Sequence, residues 1–151
     1  MKNRSCAVAA AAVLVLVGAF SPAAFAQGAA KAAFTPSADL KWIGAGVPGV
    51  ASARVKGDMA KGASHFYLRY AAGFVAPVHH HSPDHYVTTV TGDLVLIVDG
   101  KEHRLPPGSY FAFTGKAKHA ARCEGSQDCV MFIDARGPWD VVLANKPQAG
   151  K

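Results

Sequence analysis

The chain has 151 residues and a formal net charge of +6 at neutral pH, and half of its residues are hydrophobic. Its cations are scattered, with no run of five or more and no alternation with aromatic residues. The sequence therefore lacks the basic patterns that are typical of nucleic-acid-binding proteins. Such a length suffices for one domain with a real hydrophobic core and is too short for two.

Residues 1–26 have the pattern of a secretory signal peptide. Two cations precede an uncharged apolar run, and Ala24-Phe25-Ala26 is a small-x-small motif that suits cleavage before Gln27. The apolar run is too short and wrongly flanked for a stable membrane anchor, so an uncleaved single-span anchor is the less favoured alternative. We therefore expect a periplasmic or secreted protein, whose mature form has 125 residues and a charge of +4.

The rest of the sequence predicts β structure. Residues 27–40 contain little to bury and are typical of a flexible leader. From His65 to Ala135, eight short runs of strand-forming residues alternate with turn residues, and Asp99-Gly100 is a strong two-residue hairpin signal. We predict an all-β sandwich or barrel over residues 41–145 without a helix of ten residues, followed by a tail at 146–151.

Two cysteines remain after cleavage, Cys123 and Cys129, and they flank the turn-forming segment EGSQD. Export permits a disulfide, and the turn predicts that the two cysteines face each other across a hairpin of adjoining strands. Closing this short loop should stabilise the fold by about 2–3 kcal/mol. The less favoured alternative makes the cysteines metal ligands together with His119.

Four of the seven histidines, His79, His80, His81 and His85, lie within seven positions. Because side chains alternate along a strand, His79 and His81 point to one face and His80 to the other. After a turn, His85 returns to the face of His79 and His81 if the two strands pair antiparallel. His119 qualifies as a further donor, and such a set of imidazoles suits Zn²⁺, Mn²⁺, Fe²⁺, Ni²⁺ or Cu²⁺.

The spacing around these histidines resembles the first motif of the cupin family. That motif is glycine, five residues, His-x-His, three or four residues, glutamate, six residues, glycine. Gly73, His79, His81, His85 and Gly92 fit every interval, with histidine in the usual place of glutamate.

The second cupin motif is matched less fully. Gly108, His119 and Cys123 keep its spacing, but the proline, second glycine and asparagine of the motif are missing. The segments WIGAGVPGVASARVKGDMAKG and LRYAAG are also similar to the lead-in of secreted single-domain cupins and of the cupin part of zinc-binding anti-sigma factors.

The cupin resemblance implies a double-stranded β-helix, or jelly-roll, barrel that binds one divalent metal ion. The implied ligands are His79, His81, His85 and His119. Asp84 and Tyr86 are rival occupants of the glutamate place, and the count back from the motif's last glycine selects His85. A cupin that has lost its metal is the alternative, but the exchange of one good ligand for another favours retention.

Loss of the hard carboxylate donor favours borderline ions, so Zn ranks first, with Mn, Fe, Ni or Cu as the other candidates. The remaining histidines, His65, His80 and His103, are interpreted as ordinary surface or hydrogen-bonded residues.

Alternating side chains line the interior of small barrels, which predicts a small and mostly apolar pocket around the metal. The predicted lining comprises Val87, Thr89, Ala121, Phe111, Phe113, Tyr67 and Arg69. For two of the strands the opposite face is the alternative, namely Tyr110 with Ala112, and Phe66 with Leu68 and Tyr70.

Two functions fit these residues. The favoured one is an exported metal-dependent oxidoreductase, dioxygenase-like, that acts on a small organic molecule. The other is a non-catalytic periplasmic cupin that binds a metal or ligand and has a structural Zn site. Both predict a small-molecule partner, no nucleic acid and no stable membrane anchor, and both are compatible with a homodimer.

Overall fold

The computed structural model describes residues 32–144. The predicted signal peptide (1–26), the first part of the leader (27–31) and the predicted tail (146–151) lie outside the described residues. A single 3-10 turn at Ser37–Asp39 precedes the strands. Over 32–144, no helix has the length and apolar character needed to cross a membrane.

Eleven strands follow in the described part of the chain, and the eight predicted runs correspond to β3 to β10. The strands are β1 (Trp42–Gly44), β2 (Val50–Gly57), β3 (Ser64–Tyr70), β4 (Val75–His80), β5 (His85–Thr91), β6 (Asp93–Val98), β7 (Lys101–Leu105), β8 (Tyr110–Phe113), β9 (His119–Glu124), β10 (Cys129–Ala135) and β11 (Val142–Leu143).

These strands form two antiparallel sheets that face each other. The order of the six-stranded sheet is β1-β2-β3-β10-β5-β8, and the order of the five-stranded sheet is β11-β4-β9-β6-β7. Neighbours in the sheets are mostly distant in sequence, as the crossed connections of a jelly roll require. The prediction of an all-β jelly-roll barrel is therefore confirmed.

The core lies between the two sheets and is supplied by every second residue of the central strands. In both β3 and β10, buried and half-buried residues alternate strictly along the strand. The inward residues are mainly aliphatic and aromatic, so the two inner faces interdigitate into one apolar layer. Its fully or nearly fully buried members include Phe66, Leu68, Val87, Leu94, Leu96, Met131 and Ile133.

The hairpin predicted at Asp99-Gly100 joins β6 and β7. Val98 is paired with Lys101, so the turn contains only the two predicted residues. Asp99 and Gly100 have φ angles of 49° and 74°. Positive φ at both central positions defines a type I′ turn, whose twist matches that of the strands it connects.

The antiparallel pairing that would return His85 to the face of His79 and His81 does not occur. β4 pairs with β9 and β11 in the five-stranded sheet, whereas β5 pairs with β10 and β8 in the six-stranded sheet. The turn at residues 82–84 crosses from one sheet to the other instead of closing a hairpin. His85 therefore meets His79 and His81 across the barrel interior.

Cys123 and Cys129 form the predicted disulfide, with a Cα–Cα distance of 5.7 Å. The predicted hairpin between them is wrong, because β9 lies in the five-stranded sheet and β10 in the six-stranded sheet. The bond thus ties the two sheets together. Gly92 packs on this bridge with φ of 78°, and a Cβ there would lie 2.9 Å from the Cys129 Sγ atom, so this motif position admits only glycine.

Candidate metal centre

The four predicted ligands converge inside the barrel. His79 lies in β4, His81 directly follows that strand, and His85 and His119 open β5 and β9. Their exposed fractions are only 3–6%. His79 is paired with His119 across β4 and β9, and the centroids of these two rings are 4.4 Å apart. The pairing of β4 with β9 is irregular between Ala76 and His79, and His79 and His119 both point inward.

Three of the histidines form a group that could hold a metal ion. One ring nitrogen each of His79, His81 and His119 lies within 4.8 Å of the other two. Two nitrogens that each bind an ion at 2.0–2.1 Å can be no more than about 4.2 Å apart. That limit applies to nitrogens on opposite sides of the ion; around a tetrahedral ion they are about 3.4 Å apart, so the widest pair would have to close by up to about 1.4 Å on binding.

His85 lies beside this group and outside it. Its ring centroid is 4.8 Å from that of His81 and 6.3 Å from that of His119. It also packs against Phe113, with ring centroids 5.5 Å apart. The residue at the glutamate place of the cupin motif is thus a neighbour of the three-histidine group, and its role as a fourth ligand stays a prediction.

Each of the four imidazoles is oriented by a backbone carbonyl. A carbonyl can only accept, so Nδ1 carries the proton and donates, which leaves the Nε2 lone pair free for a metal. For three histidines the acceptor is the carbonyl two residues earlier, but for His81 it is 59 residues later. The Nδ1–O pairs are His79–Pro77 (2.7 Å), His85–Pro83 (3.1 Å), His119–Ala117 (3.0 Å) and His81–Asp140 (2.5 Å).

Burial also keeps the four imidazoles uncharged. Desolvation lowers the pKa of His81 to about 3 and that of His119 to about 4, and like-charge repulsion from the neighbouring histidines acts in the same direction. The pKa values of His79 and His85 are lowered as well, again mainly by desolvation. Neutral imidazoles are the form that binds metal, so the cluster is ready for an ion at neutral pH.

Residues 137–144, which we call the C-terminal strap, pack against this cluster. The Trp139 indole stacks on the His81 ring, with centroids 3.9 Å apart and planes inclined by 22°, and its edge meets Phe66 and His85 at 5.0 and 5.1 Å. The Asp140 carboxylate accepts hydrogen bonds from the backbone N–H and hydroxyl of Ser82, at 2.7 and 2.6 Å. The strap therefore holds His81 from both its face and its Nδ1 side.

Sequence analysis did not identify Trp139 or Asp140. Neither belongs to a histidine motif, and both follow the turn signal Gly137-Pro138 near the end of the chain. A tryptophan directly before an aspartate, in a short segment after the last long strand, was the only available signal.

The interior lining follows the alternation of β5, β8 and β9. Val87, Phe111, Phe113 and Ala121 face a small interior space next to His85 and His119. Phe113 stacks on the His119 ring at 4.0 Å and an interplanar angle of 7°. The space measures only about 20 Å³, enough for about one water molecule, so the barrel interior is nearly filled.

Thr89 is fully buried further along β5 and lies outside that lining. Its hydroxyl oxygen has no hydrogen-bond partner among the described residues.

The prediction that Tyr67 and Arg69 line the pocket is wrong. On β3 the alternative face points inward, with Phe66, Leu68 and Tyr70 buried. The Arg69 guanidinium instead lies on the outer side, 4.8 Å from the Trp42 ring, with its Nε 3.8 Å from the Asp128 carboxylate. Aromatic and long side chains occur on both faces of β3, so its composition could not distinguish the faces.

Comparisons with known proteins agree with this architecture. The cupin domain family matches residues 66–134. The polyketide cyclase RemF from Streptomyces resistomycificus superimposes with a TM-score of 0.64 at 16% identity, covering 78% of this chain and 89% of the cyclase. KdgF from a Halomonas species gives 0.59 at 20% identity, covering 70% of this chain and 94% of KdgF.

A salicylate 1,2-dioxygenase variant from Pseudoaminobacter salicylatoxidans gives a TM-score of 0.57 at 14% identity, covering 69% of this chain and 34% of the dioxygenase. No curated protein sequence matches the chain. At these identities the solved structures share the fold, while the family match covers the strands that carry the histidines. Residues 66–134 are therefore a cupin domain, and the solved cupin structures share its fold.

Proposed function

We propose that this protein is an exported, metal-binding cupin that acts as a metal-dependent oxidoreductase, dioxygenase-like, on a small organic molecule. The proposal rests on the cluster of four buried, neutral imidazoles, each of which donates its Nδ1–H to a backbone carbonyl. Such pre-orientation presents Nε2 lone pairs and is the usual arrangement of metal-ligating histidines. Solved cupins of the same fold include a dioxygenase, which supports this class of reaction.

The residues around the cluster support a catalytic role for a bound ion. Apart from its imidazoles, the lining of the interior space within residues 32–144 contains no carboxylate, serine or lysine that could serve as a nucleophile or a general base. A bound ion would supply the Lewis acidity or electron transfer that these side chains lack. The protein's own contribution is to hold the imidazoles neutral, to fix their ring planes with Phe113 and Trp139, and to keep bulk water out.

Zn²⁺ is the ion that we rank first on ligand softness, and it leads to a second candidate function. Four imidazoles around Zn²⁺ in a nearly filled barrel would form a closed structural site, as in a non-catalytic binding protein. Zn²⁺ has no redox chemistry, so a dioxygenase-like reaction requires Mn, Fe, Ni or Cu at the same ligands. Elemental analysis of protein purified from its native compartment separates the two functions.

Export is part of this proposal. A disulfide between Cys123 and Cys129 is typical of oxidising compartments, and it supports a periplasmic or secreted location. The motif Ala24-Phe25-Ala26 places the start of the mature chain at Gln27.

The ligand set is tested by single substitutions. If His85 is a ligand, His85→Ala should lower metal occupancy about as much as His79→Ala, because each removes one Nε2 donor. His80→Ala and His103→Ala are the matched controls and should leave occupancy unchanged, since neither belongs to the three-histidine group. His85→Glu should preserve binding and shift the preference toward Mn²⁺ or Fe²⁺, because a carboxylate is the harder donor.

Metal content and affinity would be measured by elemental analysis and by competition with a chromophoric chelator. If His85→Ala binds one equivalent as tightly as the parent, the site is a three-histidine one with His79, His81 and His119. If His79→Ala also leaves binding intact, the proposed metal centre is wrong.

A further inference from the structure

A groove of about 350 Å³ opens beside the histidine cluster, outside the nearly filled barrel interior. It runs between the β1–β2 connection, the first half of β4 and the C-terminal strap. His79 and His81, with exposed fractions of 3% and 6%, form its buried end. Its mouth is formed by Val47, Val141 and Leu143, which are 51%, 59% and 43% exposed. The groove thus connects solvent to two members of the metal-binding group.

The wall of the groove carries no charge. No Lys, Arg, Asp or Glu is among the side chains that line it in the described chain, and most of them are aliphatic or aromatic. Its polar side-chain groups are the two imidazoles at the buried end, the Tyr70 hydroxyl and the Trp139 indole N–H. Burial raises the pKa of Tyr70 to about 12, so this hydroxyl stays protonated and neutral. In the metal-free protein, a charged molecule would lose its hydration in the groove without gaining a counter-charge.

The size of the groove matches a small organic ligand. Ligand pockets in proteins typically measure about 300–1,000 Å³ and are mostly apolar with a few polar groups. The interior space on the side of His85 and His119 holds only about one water molecule. Among the described residues, the groove is therefore the place where a molecule larger than water fits next to the histidines.

We propose that the substrate of the metal site is a largely apolar molecule the size of one or two rings, uncharged where it lies in this groove, which approaches the ion past His79 and His81. This inference rests on the proposed function insofar as the ligand is called a substrate, but its binding in the groove does not require catalysis. Trp139 contributes to both sites, because its ring stacks on His81 and also lines the groove.

The test uses two fluorescent probes with the same ring system, neutral 1-naphthol and anionic 1-naphthalenesulfonate, titrated into the metal-free protein so that no bound cation attracts the sulfonate. We expect 1-naphthol to bind with one-to-one stoichiometry and the sulfonate to bind at least about tenfold more weakly. Equal affinity for the two probes, or no saturable binding of 1-naphthol, would overturn the proposal.

Two double variants that add the same charge locate the site. Val47→Asp with Leu143→Asp places carboxylates in the groove wall and should weaken 1-naphthol binding at least about tenfold. Val75→Asp with Val90→Asp changes two exposed valines outside the groove and should leave binding within about twofold. Ala45→Trp, which fills the groove without adding charge, should weaken both probes. Equal losses in both double variants would contradict the assignment.

The outcomes separate this inference from the proposed function. If 1-naphthol shows the expected pattern in protein that binds no metal, the groove inference stands and the metal-dependent function falls. If the protein binds metal at the histidines but 1-naphthol does not bind, only the groove inference falls. Measuring metal content and probe binding on the same preparation of each variant gives both answers.

Discussion

Replacing Trp139 with alanine should weaken both the fold and the metal centre. The indole makes three aromatic contacts, with Phe66, His81 and His85, at centroid distances of 5.0, 3.9 and 5.1 Å. Each such pair contributes about 0.5–1.5 kcal/mol beyond area burial, so the three together are worth about 1.5–4.5 kcal/mol, which overlaps the range of about 3–5 kcal/mol for removing a large aromatic side chain. For a domain of this size that corresponds to a fall in Tm of about 10 °C.

The effect on metal binding follows from the position of His81. This imidazole is held by the Trp139 ring on one face and by the Asp140 carbonyl at Nδ1, and both belong to the C-terminal strap. Loss of a partner that orients a ligand typically lowers metal affinity by about 10–100-fold, and we expect that range for Trp139→Ala. Trp139→Phe keeps an aromatic ring over His81 and should retain most of the affinity.

The assay is a competition titration of Zn²⁺ between the protein and a chromophoric chelator, with a thermal melt of each metal-free variant. Trp42→Ala is the matched control, because Trp42 is the other tryptophan, is also half-buried, and packs on Arg69 away from the histidines. It should leave Zn²⁺ affinity unchanged. If Trp139→Ala binds Zn²⁺ within about threefold of the parent while its Tm falls, the strap does not position His81.

Two further predictions concern stability. The free energy of unfolding of the double variant Cys123→Ala/Cys129→Ala should fall by about 2 kcal/mol, the value for a cross-link of sequence separation 6, and its Tm should fall by about 8 °C. An unchanged Tm would contradict this prediction. The intact mass of the unreduced parent should show no free thiol and an N-terminus at Gln27. In the metal-free protein the pKa values of His81 and His119 are lowered, so below pH 6.5 the unfolded chain binds more protons than the folded chain. The free energy of unfolding therefore falls on acidification by up to about 1.4 kcal/mol per pH unit for each residue. Urea unfolding at pH 7.5 and 5.5 should differ by about 3 kcal/mol, with no such loss between pH 8.5 and 7.5, and equal stability at the first two pH values would show that the imidazoles do not stay neutral.

The strands were predictable because their signals are local. The alternation of buried and half-buried residues along β3 and β10 follows directly from the order of the residues in each strand. The type I′ turn at Asp99-Gly100 is equally local, because two residues that tolerate positive φ fix the register of β6 with β7. The same alternation placed His79 and His81 on one face and His80 on the other.

Strand pairing was less predictable, and two errors have the same cause. The turn after β9 was expected to close a hairpin and the turn after β4 was considered as one, but both cross from the five-stranded to the six-stranded sheet. Each of these connections has four residues, which is long enough for either path, whereas the two-residue turn at Asp99-Gly100 permits only the hairpin. Turn residues show where a strand ends; its partner depends on which apolar faces meet in the core.

The metal centre likewise depends partly on residues that are close in sequence and partly on contacts between distant segments. His79, His85 and His119 each take their orienting carbonyl from two residues earlier, so the segments Pro77-x-His79, Pro83-x-His85 and Ala117-x-His119 carry that part of the site in their own sequence. His81 depends instead on Asp140, 59 residues away, and on the Trp139 ring, which no spacing rule could connect to it. A histidine cluster could thus be predicted from the sequence, but its complete geometry forms only when the strap has packed across the barrel. Because the same strap also forms one wall of the groove, the segment that fixes His81 is the one that shapes the approach to it.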